Sequence, residues 1–415
     1  MTEKLHELFL RIRALSVLRE LRHDPVIEHL TNFLYTVQSH QIPAFNNIPT
    51  FIDGSVDAYT NFVFSLYETG SVNLSRYIQN IVNNNENIYI KLVGQGIKPP
   101  STVLEKSLAE DLVTMQTVAS LTPNDLKSEF PVGTYLPEWE TEGIDIAGGY
   151  RERIASIGKY GYGIYAAYRM FYINQDKQIV PVQNPDMTRL CDLIDYEREK
   201  KIIIDNTKAL LEGKPAANIL LTGDAGTGKS STVKAVVNEL YDEGLRILEV
   251  RKEQLHEIPA ILDELTTNPL KFIIFIDDLS FSSDDDNFSA LKAVLEGSVS
   301  AKSQNVVIYA TSNRRHLVKE RFSDREGDEI HLNDSIQEIV SLSERFGIQI
   351  TFNRPDKNTY LDIVHHLADA HGIKYIVEKL DMEAEKFALR RSSRSARAAK
   401  QFVDGLLAGS TADII

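Results

Sequence analysis

Asn218-Ile219-Leu220-Leu221-Thr222, followed at once by Gly223-Asp224-Ala225-Gly226-Thr227-Gly228-Lys229-Ser230-Ser231, decides how this chain folds. An apolar, β-branched run gives way to a G-x-x-x-x-G-K-[ST] loop, and the loop opens a stretch in which Val233, Val236, Val237 and Leu240 recur at helical spacing. Strand, loop and helix in that order make a phosphate cradle. Gly226 and Gly228 let backbone N–H groups turn inward, Lys229 reaches the β and γ phosphates, and Ser230 offers its hydroxyl to Mg²⁺. A glycine-rich turn that binds nothing is the alternative, and the strand-loop-helix context argues against it.

Downstream, short apolar runs at Arg246 to Val250, Phe272 to Ile276, Val306 to Ala310 and Ile348 to Phe352 join Ile219 to Thr222 as expected strands. Helical patterns separate them at Ser231 to Asp242, Leu255 to Leu265 and Phe288 to Glu296. This alternation predicts an α/β domain with a five-stranded parallel sheet over residues 186–355, its ligand at the carboxyl ends of the strands. After Pro355 only helices are expected, at Thr359 to His371, Asp381 to Arg390 and Arg394 to Leu407. They would form a C-terminal helical lid over residues 356–415.

The third of these strands ends in Asp277-Asp278. A buried hydrophobic strand delivers the acids beside the phosphate loop, where Asp277 holds Mg²⁺ and Asp278 orients an attacking water, a Walker B pattern paired with the Walker A loop. The fourth ends Thr311-Ser312-Asn313, with Asn313, and Thr311 next, placed to sense a γ phosphate. The competing role for Asn313 is that of a turn residue bonding its own backbone. Arg345, just before the last strand, is a candidate arginine finger reaching a neighbouring subunit, or else an exposed member of a surface ion pair. Arg390, Arg394, Arg397 and Lys400 share one helical face, and Arg397 is the residue expected to bridge the lid to phosphate. Asp284-Asp285-Asp286 lacks the ligand spacing of a calcium loop, and the adjacent His365 and His366 lack zinc-protease spacing, so no metal beyond nucleotide-bound Mg²⁺ is expected.

The first part of the chain reads differently. Leu5, Leu8, Phe9, Ile12 and Leu15, then Ile27, Leu30, Phe33, Leu34 and Val37, fall at helical spacing, with further helical patches near Ala58 to Tyr67 and Val103 to Val118. Residues 1–130 are expected to be a mainly helical N-terminal domain. Residues 131–185 are expected to be a Gly/Tyr-rich connector, and from Pro131 to Tyr172, a stretch holding the sole Trp139, they show no clean period. Its aromatics are either packed beneath it or presented to a partner, packing being the commoner outcome.

With 415 residues the chain has room for two or three domains, and its formal charge of −14 disfavours non-specific attraction to nucleic acid or anionic lipid. One cysteine excludes an intrachain disulfide and fits a reducing, cytoplasmic setting. No run of about 18 apolar residues calls for membrane insertion.

The set from Gly223 to Phe402 resembles the AAA+ ATPase superfamily of P-loop proteins. Within it, Gly226-Thr-Gly-Lys-Ser-Ser231, Asp277-Asp-Leu-Ser-Phe281, Leu291-Lys-Ala-Val-Leu-Glu-Gly297, Thr311-Ser-Asn-Arg-Arg-His-Leu317 and Ser341-Leu-Ser-Glu-Arg-Phe-Gly347 are similar to an uncharacterised bacterial ATP-binding family. That similarity covers about Asp192 to Leu406. The resemblance implies ATP and Mg²⁺ held between sheet domain and lid, and a homo-oligomer, such as a hexamer, with nucleotide at subunit interfaces. It implies that Leu193, Ile194 and Tyr196 line an adenine pocket, that Asn313 is a first sensor, Arg345 the finger and Arg397 a second sensor. One departure stands out: the superfamily's Asp-Glu pair is Asp-Asp here, and the shorter Asp278 implies slow turnover. Arg314, Arg315 and Arg321 compete with Arg345 for the finger role.

The expected function is therefore an ATP hydrolase that couples Mg-ATP to conformational change or partner remodelling, engaging an unknown protein through its N-terminal region. A nucleotide-dependent binding module or scaffold with little turnover is the second reading. A nucleic-acid-acting loader or initiator is the third, and nucleic acid is disfavoured by charge. A small-molecule kinase fits the paired acids less well, and a GTPase lacks its Asn-Lys-x-Asp motif.

Overall fold

The computed structural model describes residues 2–39, 48–97, 101–130, 135–280, 286–296, 304–313 and 344–409. The chain divides into two compact units, Met1–Ala167 and Tyr168–Ile415.

The first unit is helical. Its long helices, Glu3–Arg13, Pro25–Ser39, Leu74–Asn84 and Thr102–Ala119 among them, bury the periodic positions read from sequence: Leu5, Leu8, Ile12, Leu30, Phe33 and Leu34 share one core. The turn after the first helix has backbone donors that no helix satisfies. Buried Asp111 takes three of them, its Oδ2 accepting from the N–H groups of Ser16, Val17 and Leu18 at 3.0, 2.7 and 2.9 Å. Trp139 is buried against the edge of Phe62, and its indole N–H donates to the Leu121 carbonyl at 2.8 Å. The sole tryptophan is thus a core residue.

The second unit is mixed α/β around one sheet. Its strands are β1 (Met170–Ile173), β2 (Ile179–Pro181), β3 (Ile219–Gly223), β4 (Leu245–Glu249), β5 (Lys271–Ile276), β6 (Val306–Ser312) and β7 (Ile348–Phe352), in the order β2-β1-β4-β5-β6-β3-β7. Every neighbouring pair is parallel except β1 with β2. Among the described residues the sheet has seven strands, not the five read from sequence. The extra pair, β1 and β2, lies in the stretch expected to be a connector, and Pro181 closes what is, among the described residues, an edge strand, where a missing N–H costs nothing.

Position in the sheet explains the residue patterns. Phe272 to Ile276 of β5, an inner strand between β4 and β6, are wholly buried, the pattern of a parallel strand covered on both faces. Edge strand β7 instead alternates, with Ile350 and Phe352 inside and Gln349 and Thr351 outside. Helices Glu197–Leu211 and Lys229–Leu240 cover one face, packing Ile203, Leu210, Val233, Val236 and Val237 on Ile219, Leu221 and Ile350. Three helices follow the sheet, Lys357–Ala370, Val377–Arg390 and Ala396–Leu407, with a core of their own around Tyr360, Val364, Leu380, Phe402 and Val403. Asp356 and Ser395 cap the first and third. No helix among the described residues is long and apolar enough to cross a membrane.

Candidate functional site

Strand β3 lies between β6 and β7, so the chain leaves it toward one side of the sheet and later returns to the other. That switch point opens a crevice beyond the carboxyl ends of the strands. Gly223, Gly226 and Gly228 take φ of +138°, +81° and +94°, backbone conformations that favour glycine, and so turn the chain sharply from β3 into the helix at Lys229. At Gly223 the constraint is also steric, because a Cβ would stand 2.1 Å from the Phe352 carbonyl oxygen of β7. At Gly228 nothing lies within 4 Å, which leaves open space over the loop.

Lys229 is buried, and its ammonium donates to the carbonyls of Gly223 and Asp224, each at 2.8 Å, and to Asn313 Oδ1 at 3.1 Å. All three ammonium donors are therefore used within the protein. Burial pushes its pKa below the ordinary lysine value, against the raising effect of Asp277, Asp224 and Asp278. Ser230 Oγ donates to Asp277 Oδ1 at 2.6 Å, and Thr311 Oγ1 donates to the same oxygen at 2.5 Å. Asn313 Nδ2 donates to Asp278 Oδ1 at 2.6 Å, and the Asp278 N–H donates to Thr311 Oγ1 at 2.9 Å. Asp278 holds φ at +52°, a left-handed conformation uncommon for a non-glycine residue. Asp277 thus joins the loop serine to Thr311 of β6, while the Asp278 carboxylate takes Asn313 just beyond that strand.

These groups, among them Gly226, Lys229, Ser230, Asp277, Asp278 and Asn313, line one cavity of about 650 Å³ that is also lined by the apolar side chains of Leu193, Ile194, Tyr196, Ile363 and Leu367. Asp195 and Tyr196 are both left-handed, at φ +71° and +63°. Tyr196 is anchored by its ring against Phe352 and by a hydrogen bond from its hydroxyl to the Asn353 carbonyl; burial and then Asp195 raise its pKa. The third C-terminal helix touches the loop directly. The Arg397 N–H donates to the Gly226 carbonyl at 3.2 Å, and a Cβ on Gly226 would meet Arg397 Cβ at 3.0 Å and Ser395 Oγ at 3.1 Å.

The structure accordingly gathers the loop residues Gly226 to Ser231, Asp277, Asp278, Asn313, Leu193, Ile194, Tyr196 and Arg397 around one space. Arg345 is elsewhere, its guanidinium hydrogen-bonded to Glu296 of its own chain. Arg314, Arg315 and Arg321, and Asp284 and Asp285, lie outside the described residues. Sequence reasoning missed Thr188, Asp192, Lys200 and His371, which also line the cavity. Ile363 and Leu367 on helix Lys357–Ala370 and its C-cap residue His371 follow at intervals of four, a signal that is visible in sequence but indistinguishable there from a core stripe. Lys400 lines the cavity one turn beyond Arg397, and the shared cationic face does show in sequence.

The donor set fits Mg-ATP. A hydroxyl and a carboxylate beside the glycine-rich loop would suit a cation that takes most of its ligands from water and phosphate. Among the described residues no group of three His, Cys, Asp or Glu side chains forms a metal site independent of a nucleotide.

Among solved structures the chain is similar to the RuvB Holliday junction branch migration motor of Thermotoga maritima, at 16% identity and TM-score 0.37, over 54% of this chain and 65% of that one. A variant of the same protein gives TM-score 0.38 at 16% identity, over 54% of this chain and 66% of that one. The chain thus spans just under two thirds of the length of these structures. No curated protein matches. A family model described as "Protein of unknown function (DUF815)" matches residues 165–410, the whole of the sheet and the helices that follow it, and the chain belongs to that family.

Proposed function

We propose that this protein is an AAA+-type ATPase that binds Mg-ATP between its sheet and its C-terminal helices and hydrolyses it slowly. One observation carries the reading. The ammonium of Lys229, the Ser230–Asp277 hydrogen bond and the Asn313–Asp278 hydrogen bond converge at the carboxyl end of β3, in a cavity also lined by Leu193, Ile194 and Tyr196. The loop N–H groups and Lys229 would hold the triphosphate, Ser230 and Asp277 the magnesium, and Leu193, Ile194 and Tyr196 the base. Bound magnesium would neutralise charge on the β and γ phosphates.

Asp278 would accept a hydrogen bond from the attacking water, and Asn313, already bonded to Asp278, would fix its orientation. The exchange is local: Lys229 gives up contacts with its own loop for phosphate oxygens, which frees Asn313 Oδ1. Arg397, whose backbone already meets Gly226, supports a second-sensor role that couples the C-terminal helices to the phosphate state. Arg345 would act in trans in a homo-oligomer after leaving Glu296, and the helical N-terminal unit would engage a protein partner.

Purified Asp278→Ala tests the reading. It should keep Mg-ATP binding and lose hydrolysis, and turnover equal to wild type would remove Asp278 from the mechanism. The second reading, a binding module with little turnover, is favoured by the short side chain of Asp278. A wild-type protein that binds ATP but releases no phosphate would select it.

A further inference from the structure

We propose that Lys200 reads the nucleobase, donating a hydrogen bond to N1 of adenine, a role that rests on the nucleotide reading above. Lys200 sits in the first turn of helix Glu197–Leu211, and its side chain is only 6% exposed. It lines the cavity together with Leu193, Ile194 and Ile363. A buried cation is costly unless its donors are used. Its ammonium donates to the Leu193 carbonyl and to Glu197 Oε1 at 2.8 Å, two of its three donors. Among the described residues the third has no acceptor.

Stapling the turn is one task of Lys200, since Leu193 lies two residues before the left-handed pair Asp195 and Tyr196. Stapling alone leaves the third N–H unexplained. Ile194 and Ile363 line the cavity together with Lys200, so a flat ring resting on these apolar side chains would bring its edge to the ammonium. Adenine carries a lone pair at N1 where guanine carries an N–H, so a fixed donor there meets an acceptor in one base and another donor in the other. Glu197 does not change this, because its side chain is 82% exposed and forms a rim contact.

The test uses full-length protein, fluorescent ATP and GTP, and unlabelled 1-deaza-ATP and 7-deaza-ATP as competitors. Wild type should prefer ATP to GTP, and Lys200→Met should reduce that preference about tenfold or more. A purely structural staple would weaken both nucleotides equally, and an unchanged ratio in the variant overturns the proposal. Should Lys200→Met fail to fold, the competitors decide on wild type alone. 1-deaza-ATP should bind about tenfold more weakly than ATP while 7-deaza-ATP matches it, and equal binding of 1-deaza-ATP and ATP refutes the N1 contact. Wild type that binds no nucleotide at all removes the underlying reading, and this proposal with it.

Discussion

Replacing Gly223 by alanine probes how the phosphate loop is welded to the sheet, and Gly228→Ala is its control. Both glycines have positive φ, +138° and +94°, so an alanine at either carries backbone strain of about 1–3 kcal/mol. Only Gly223 also faces a wall. Its new Cβ would stand 2.1 Å from the Phe352 carbonyl, and Gly223 and Phe352 are register partners of β3 and β7, so relief requires parting the two strands. Overpacking of that kind adds about 1–3 kcal/mol, for a total of about 2–6 kcal/mol, a large share of a domain's stability. At Gly228 no atom lies within 4 Å, and strain is the whole cost. Thermal unfolding followed by circular dichroism should place Gly223→Ala several degrees below Gly228→Ala. Gly228→Ala should nonetheless lose nucleotide affinity, because its methyl group intrudes where phosphate would sit. Equal melting of Gly223→Ala and wild type would refute the steric argument.

Three further outcomes are expected. Burial lowers the Lys229 pKa, so the folded state disfavours its charge, and that penalty fades as pH rises from the lowered value toward the ordinary lysine pKa. Nucleotide binding runs the other way: it needs the ammonium, so affinity should fall as pH climbs through the lowered value, with proton uptake on binding seen by calorimetry in two buffers of different ionisation heat. Asp111→Ala strands three backbone donors in the first unit and should cost about 2–5 kcal/mol in urea unfolding, with nucleotide affinity unchanged. Arg397→Ala keeps the backbone bond to Gly226 but removes the guanidinium, so phosphate release assays should show turnover reduced about tenfold or more without a change in melting.

What the sequence discloses follows the range of the forces involved. The phosphate loop, the acids after β5 and the polar end of β6 are readable because each is local: a periodic run fixes an element, and the residues at its tip inherit their place. Strands β1 and β2 escape such reading because four and three residues are too few to show alternation, and the pairing of β1 with β4 is a long-range event. Lys200 and His371 are missed for the same reason, since only the folding of helix Glu197–Leu211 and the C-terminal helices onto the sheet brings them to the cavity. Arg345 shows the reverse case. Its position before β7 is visible in sequence, while its partner, Glu296, is not.

The central claim is that the hollow between β3 and the C-terminal helices holds a nucleotide triphosphate by its phosphates. Isothermal calorimetry of the full chain with magnesium and a non-hydrolysable ATP analogue tests it most directly, run beside Lys229→Met. Saturable binding of one nucleotide per chain, lost in the variant, is the predicted result. An absence of heat in the wild type, or equal affinity in the two proteins, would contradict it.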